Sequence, residues 1–326
     1  MTSTTFPSRE EITICFGHVA YQLADAFARR DLGINHFQVW NADDLSSRAE
    51  EADIVVASGL WSNDLLDSAP RIKFVQSASA GMDKFDADKF RAKSVRLASG
   101  QGANERAVAE HAMALILSLT RLIPEACRNQ RAKTWRGMIS DPNIREDELG
   151  GKTMLIVGMG RIGSRLATLA KAFDIHVVAV KRDPSRGGDA AHEVHAQEHL
   201  HDLLPKADIV ALTCPLTPET ENLINADAFA AMKPSAHLIN VARGKVVDEP
   251  SLISALQGAQ IAAAGIDCTV EEPLPESSPL WSIENALITP HTAGETRRYE
   301  DNVVDILMDN LDRMWRGEKE LRNQVV

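Results

Sequence analysis

The segment Met154-Leu155-Ile156-Val157-Gly158-Met159-Gly160-Arg161-Ile162-Gly163 constrains this chain more than any other. Residues 154–157 make an apolar run of strand length, broken at Gly158. Beyond it, Leu166, Ala167, Leu169, Ala170 and Phe173 recur on one side of a helix. Strand, then G-x-G-x-x-G, then helix is the context in which a short glycine motif becomes informative. Gly158 is expected to make the tight turn, Gly160 to let the backbone approach a pyrophosphate, and Gly163 to let helix and strand pack closely. The N-terminus of the helix expected over 164–172 then offers unpaired N–H groups and a positive dipole end to the phosphates, and Arg161 and Ile162 are expected among the cofactor contacts. A dinucleotide is the ligand this segment predicts.

A chain of 326 residues exceeds one ordinary core and predicts about two domains. Its 44% hydrophobic and 25% charged residues are those of a globular protein. A formal charge of −11 argues against a nucleic-acid or anionic-membrane partner, though a local basic pocket for an anionic substrate is compatible with it. Cys15, Cys127, Cys214 and Cys268 are widely separated and form no C-x-x-C pair, as expected of reduced thiols. Without a long uninterrupted apolar stretch, no membrane span is expected. Residues 1–10 lack a basic segment followed by an apolar one, so no secretory signal is expected and the predicted location is cytoplasmic.

Residues 12–16, 37–40, 54–57 and 74–76 read as strands, with helical patterns at 18–30, 42–51 and 61–69. This alternation predicts a parallel sheet in a first α/β unit that ends near residues 100–104. Residues 104–129 carry a long helical pattern, apolar over a broad face, with Asn104 as its N-cap. Residues 131–150 read as an irregular polar arm. Six strands are expected after it, at 154–157, 176–180, 209–213, 237–241, 261–266 and 286–289, the count of a full dinucleotide-binding unit. A final helix within 294–316 is expected to return to the first unit.

Ligands of a doubly wound sheet sit beyond the carboxyl ends of its strands. Arg243, Glu272 and His291 each follow a different predicted strand and would face that edge. Their types suit hydride transfer to a 2-oxo acid. An arginine fork holds a carboxylate and the adjacent carbonyl oxygen. A histidine donates a proton to that oxygen. A carboxylate bonded to the imidazole favours its protonated form and fixes its orientation.

With these residues in place, the chain resembles the D-isomer-specific 2-hydroxyacid dehydrogenase family over nearly its whole length. The resemblance rests on Gly158-x-Gly160-x-x-Gly163, Ala107-Val108-Ala109-Glu110-His111-Ala112, Pro215-Leu216-Thr217-Pro218-Glu219-Thr220, Asn240-x-Ala242-Arg243-Gly244, the segment 267–273 and Thr289-Pro290-His291. It implies an α/β protein of two doubly wound domains. A Rossmann dinucleotide-binding domain would span 104–292, and a smaller flavodoxin-like substrate domain 1–103 with 293–326. The cleft between them would be the active site. By the same resemblance Arg243 binds substrate, Glu272 partners His291, and His291 is the acid/base. Asp267 would bond the nicotinamide carboxamide, and Asn104, Cys214, Pro215, Val241 and Ala242 would also contact the cofactor. Backbone N–H groups at Ser79, Ala80 and Gly81 would meet the substrate carboxylate. A homodimer is expected.

NAD-preferring enzymes place an acid on the ribose hydroxyls about 20 residues beyond the glycines. Here the second strand ends in Lys181-Arg182, and Asp183 follows. Two cations at that position favour a 2′-phosphate, so NADP(H) is the preferred cofactor expected, with NAD(H) as the alternative. His192, His195, His199 and His201 are read as a solvated helix face, and no metal is expected. Trp135 is read as an interface anchor. The expected reaction reduces a small 2-oxo acid, of the glyoxylate or hydroxypyruvate kind, to the D-2-hydroxy acid. The competing expectation is a dinucleotide-sensing regulator resembling the corepressors of this superfamily, without significant turnover.

Overall fold

The structure is a computed structural model that describes residues 6–188 and 190–326, so residues 1–5 of the N-terminal stretch read above lie outside it. Residues up to Asn104 form one compact unit together with Thr296–Val326, and Glu105–Glu295 form a second. The chain therefore changes unit one residue later than the sequence reading placed the first crossing, and three residues later at the second.

The first unit alternates β1 (Thr13–Gly17), α1 (Leu23–Ala28), β2 (Asn35–Val39), α2 (Ala42–Arg48), β3 (Ile54–Ala57), α3 (Leu65–Ser68), β4 (Phe74–Ser77), α4 (Ala87–Lys93) and β5 (Arg96–Ala98). All neighbours pair in parallel, in the flavodoxin-like order β2-β1-β3-β4-β5. Successive strand residues serve opposite faces. Ile54 and Val56 join Ile14, Phe16 and Phe27 in one core, while Val55 and Ala57 join Cys15, Leu45 and Phe90 in another. The sequence reading missed β5 and α4 and overextended the first helix. His18 lies outside that helix, its Nδ1 accepting the Ala20 and Tyr21 N–H groups.

The C-terminal helix, Tyr299–Trp315, buries Val303, Ile306, Leu307 and Leu311 in the same core as Leu23 and Phe27. Its fully buried Asn310 donates to Gln76 Oε1 at 2.8 Å and accepts from Arg322 N at 2.7 Å. Removing that amide strands the buried Gln76 Oε1 and the half-buried Arg322 N–H, and a buried group left unpaired costs about 1–3 kcal/mol. Asn310→Ala is expected to lower unfolding free energy by about 3 kcal/mol, read as an earlier urea midpoint. An unchanged midpoint would show the pair to be dispensable. Beyond the helix, Val325 N donates to Leu97 O at 2.8 Å and Leu97 N to Val326 O at 3.1 Å, covering the edge strand β5.

The second unit comprises α5 (Glu105–Thr120), α6 (Ile123–Arg131), β6 (Thr153–Val157), α7 (Arg161–Lys171), β7 (His176–Lys181), β8 (Glu193–Ala196), α8 (Leu200–Leu203), β9 (Ile209–Leu212), α9 (Ala226–Ala231), β10 (His237–Asn240), α10 (Glu249–Gln257), β11 (Ala263–Ile266) and β12 (Ala286–Ile288). Its all-parallel sheet has the order β12-β11-β10-β9-β6-β7-β8. Winding reverses between β6 and β9, the switch point beside which ligands of such sheets bind.

Two expectations are corrected here. The long helix is two, bent by 67° at a break where Leu122 takes a φ of +51°. Pro124 lacks the N–H that a continuous helix needs, so it begins a new helix instead. The histidine-rich stretch is not a helix face, because it contains the seventh strand, β8. His176 Nε2 and His195 Nε2 flank the two carboxylate oxygens of Glu193 at 3.0 and 3.1 Å, and His192 Nδ1 accepts from Val177 N at 2.8 Å. Strand alternation of Glu193 and His195 with Val194 and Ala196 outweighed the helical spacing of the histidines. Among the described residues no single helix is long and apolar enough to cross a membrane.

Candidate active site

At the end of β6 the chain turns with Gly158 at a φ of +99°, and a Cβ there would lie 2.6 Å from the backbone of Cys214. A Cβ on Gly163 would lie 2.2 Å from Gly158 O and 2.9 Å from Thr213 Oγ1. Both glycines are thus required by the protein itself. Thr213, which the sequence reading did not single out, ties the turn by donating to Gly158 O at 2.6 Å. Gly160 differs, because a Cβ there would meet no protein atom within 4 Å. It is also the residue from which α7 starts, so the first-turn N–H groups of Arg161, Ile162 and Gly163 have no acceptor within the helix. A bare backbone before a helix N-terminus fits a dinucleotide pyrophosphate.

Lys181 closes β7, and its ammonium donates to Arg186 O, bracing the turn that follows. Arg182 is exposed. Asp183 Oδ1 accepts from the Ser185 hydroxyl at 2.6 Å and the Ser185 N–H at 3.1 Å. Those bonds hold its carboxyl below the ordinary value and commit it to its own turn. Cys214 is buried, which pushes its thiol up to about 11, and Pro215 O accepts from Thr220 Oγ1 at 2.7 Å.

Arg243, Glu272 and His291 follow β10, β11 and β12, three adjacent strands of one parallel sheet, so all three leave from its carboxyl edge. Asn240 braces the first loop, donating to Arg243 O and accepting from Ala242 N, both at 3.0 Å. Val241 and Ala242 are buried within that loop. Arg243 Nη1 donates to Ala242 O at 2.7 Å. The next loop passes so near that a Cβ on Gly244 would lie 2.0 Å from the Thr269 carbonyl. Glu272 Oε1 accepts from Thr269 N at 3.1 Å, and its Oε2 lies 2.7 Å from His291 Nδ1. The imidazole proton at Nδ1 therefore goes to the carboxylate, and Nε2 is the nitrogen left for a substrate.

His291 sits at a φ of +53°, a conformation costly for a residue with a side chain. Its N–H donates to Asp267 O at 2.8 Å. The buried Asp267 carboxylate gathers the rest of the loop. Its Oδ1 accepts from Thr289 Oγ1 at 2.6 Å and Thr292 N at 3.0 Å, and its Oδ2 from Ala293 N at 3.1 Å. His111 Nε2 lies 2.9 Å from Thr289 Oγ1, whose own proton is committed to Asp267, so Nε2 is the donor. Asp267 is thus a fastener of the histidine loop, which the sequence reading did not assign to it. Thr289 and His111 belong to the same fastening, and adjacency to His291 is the one sequence signal that pointed to Thr289. Asn104 immediately precedes α5.

In the first unit, the turn after β4 holds its own carbonyls. Ser77 Oγ donates to Ser79 O at 2.9 Å, Ser99 Oγ to Ala80 O at 3.4 Å and Ser79 Oγ to Gly81 O at 3.3 Å. The Ser79 N–H donates to Ser77 Oγ at 3.2 Å. Ser79 is therefore engaged within the turn as donor and acceptor, unlike the outward-facing N–H expected from the sequence.

Known proteins similar to this chain point to one family. The family profile described as D-isomer specific 2-hydroxyacid dehydrogenase, NAD binding domain, matches residues 113–293. The chain is similar to D-3-phosphoglycerate dehydrogenase of Mycobacterium bovis, 35% identical over 85% of this chain, but it spans only 52% of that longer protein. It is similar to glyoxylate/hydroxypyruvate reductase B of Enterobacter sp. strain 638, 36% identical over 87% of this chain and 90% of that one. Among solved structures, an NADPH-dependent glyoxylate/hydroxypyruvate reductase from Sinorhizobium meliloti, in complex with NADP and malonate, superposes with a TM-score of 0.80 at 26% identity. That match covers 98% of this chain and 97% of the other. The chain belongs to the D-isomer-specific 2-hydroxyacid dehydrogenase family.

Proposed function

We propose that the protein reduces a small 2-oxo acid to the D-2-hydroxy acid, with NADP(H) as its preferred cofactor. The observation that carries this reading is the Glu272–His291 hydrogen bond at the carboxyl edge of the sheet that bears Arg243 and the glycine turn. A bound nicotinamide dinucleotide supplies the hydride. The N–H groups at the start of α7 would hold its phosphates, with Cys214, Pro215, Val241 and Ala242 as further contacts. Asp267 would bond the nicotinamide carboxamide. Arg243 binds the substrate carboxylate and orients the carbonyl. His291 Nε2 gives a proton to the carbonyl oxygen, and Glu272 keeps the ring in the tautomer and orientation that this needs. Glyoxylate and hydroxypyruvate are the substrates of choice, since relatives of full-length match carry those names.

The cofactor preference rests on two features. Lys181 and Arg182 stand at the end of β7, and Asp183 is already bonded to Ser185. Arg182→Ala is expected to weaken NADPH binding about tenfold, the loss of one charged contact to a phosphate, while leaving NADH binding nearly unchanged. Fluorescence titration measures both. Equal or tighter binding of NADH by the unmutated protein would overturn the preference.

The protein acts as a cytoplasmic homodimer in this reading. The arm before β6 carries Trp135, Met138 and Ile144, all exposed, and is braced by Arg145 donating to Ile139 O and Ser140 O at 2.7 Å. An arm with protruding apolar side chains suits contact with a second copy.

A further inference from the structure

Cys268 lies two residues beyond the end of β11 and plays no part in the reaction proposed above. Its side chain is buried, with Sγ 3.6 Å from Ala242 O. Yet it shares its surroundings with the acid/base pair. Ligand atoms of Cys268, Glu272 and His291, one from each, all lie within 4.8 Å of one another. Glu272 and His291 are half-exposed, so the group is reached from solvent on their side.

We propose that Cys268, Glu272 and His291 form a regulatory binding site for a thiophilic divalent cation, of which Zn²⁺ is the type, and that occupancy stops catalysis. The set of one thiolate, one imidazole and one carboxylate suits Zn²⁺ or Co²⁺ and not Mg²⁺ or Ca²⁺, which take oxygen ligands. Three protein ligands leave the fourth tetrahedral position to water.

The geometry needs little change. With bonds of about 2.0–2.3 Å, tetrahedral donors stand about 3.3–3.6 Å apart. The Glu272–His291 pair, now at 2.7 Å, opens slightly, and the thiol moves in from no more than 4.8 Å. The thiol proton and the proton shared by Glu272 and His291 pass to solvent as the cation takes their place. Burial, with Asp267 and Glu272 beside it, pushes the Cys268 thiol up, so the cation must displace its proton. Inhibition follows because the imidazole and carboxylate that hold the catalytic proton are occupied by the metal. This last step rests on the acid/base reading of His291; the binding itself does not.

The test uses the full chain carrying Cys127→Ser, which removes the one exposed thiol. Titration with Co²⁺ is expected to give one bound ion per chain and a near-ultraviolet thiolate-to-cobalt charge-transfer band. Adding Cys268→Val, or Cys268→Ser should the valine variant misfold, is expected to abolish that band. The same change should raise the Zn²⁺ concentration for half-inhibition at least tenfold and leave metal-free turnover unchanged. Mg²⁺ at equal concentration should not inhibit. Absence of the band, its persistence without Cys268, or equal inhibition with and without Cys268 would overturn the proposal. The band reports a cobalt–sulfur bond independently of turnover, so failure of the catalytic reading is distinguishable from failure of the site.

Discussion

Replacing His291 by alanine is expected to reduce kcat about 10²- to 10⁴-fold, the usual contribution of a positioned general acid. Dinucleotide affinity should stay within about twofold, because no phosphate-binding N–H group depends on the imidazole. The loop itself should hold. Asp267 binds it through the backbone at 291, 292 and 293 and through Thr289 Oγ1, none of which the substitution removes. The φ of +53° suits alanine somewhat less than histidine, a small cost beside those bonds. Glu272→Gln gives a companion result. Its amide still lies beside Nδ1 but carries no charge, so turnover should fall less far than in His291→Ala. Equal losses of turnover and cofactor affinity in His291→Ala would reassign the histidine from proton transfer to structure.

The second large effect separates two glycines of the same motif. Gly163→Ala puts a methyl group 2.2 Å from Gly158 O, a backbone atom that cannot swing aside. The helix α7 must move off β6 or the turn must open. Overpacking of this kind costs about 1–3 kcal/mol and occasionally more, so a loss of about 3 kcal/mol in stability and at least a hundredfold in dinucleotide affinity is expected. Gly160→Ala should behave differently. Its methyl group meets no protein atom, so thermal stability should change by less than about 0.5 kcal/mol, while dinucleotide affinity falls about tenfold or more. Calorimetric melting and cofactor titration of the two variants decide the matter. Unimpaired binding by Gly160→Ala would place the pyrophosphate elsewhere.

Much of this fold is legible because buried parallel strands read as short continuous apolar runs. β3, β6, β9 and β10 are of that kind, buried along most or all of their length. β8 was missed because it is an edge strand only partly buried, and its Glu193 and His195 look like surface residues. β5 was missed because it is three residues long and borrows its second partner from the C-terminal tail. The bend after Thr120 was legible in Pro124, but the apolar periodicity on both sides concealed it.

The site divides in the same way. A glycine turn, and an acid and a histidine after neighbouring strands, are local patterns, and the sheet brings Glu272 and His291 to 2.7 Å. The fastening of the histidine loop is not local. His111 and Thr289 meet across 178 positions of sequence, and no spacing rule reports such a contact. Cys268 shows the limit of reading residues singly. Its separation from the other cysteines indicated only a reduced thiol, and the fold places its sulfur beside an imidazole and a carboxylate.

The most direct test is product analysis with NADPH supplied to the purified protein and glyoxylate, hydroxypyruvate and a bulkier 2-oxo acid offered in turn. The expected result is stoichiometric NADPH consumption with at least one of them, with hydroxypyruvate giving the D-hydroxy acid alone on chiral chromatography. Tight NADPH binding without turnover on any of these acids, or formation of the L-hydroxy acid, would contradict it.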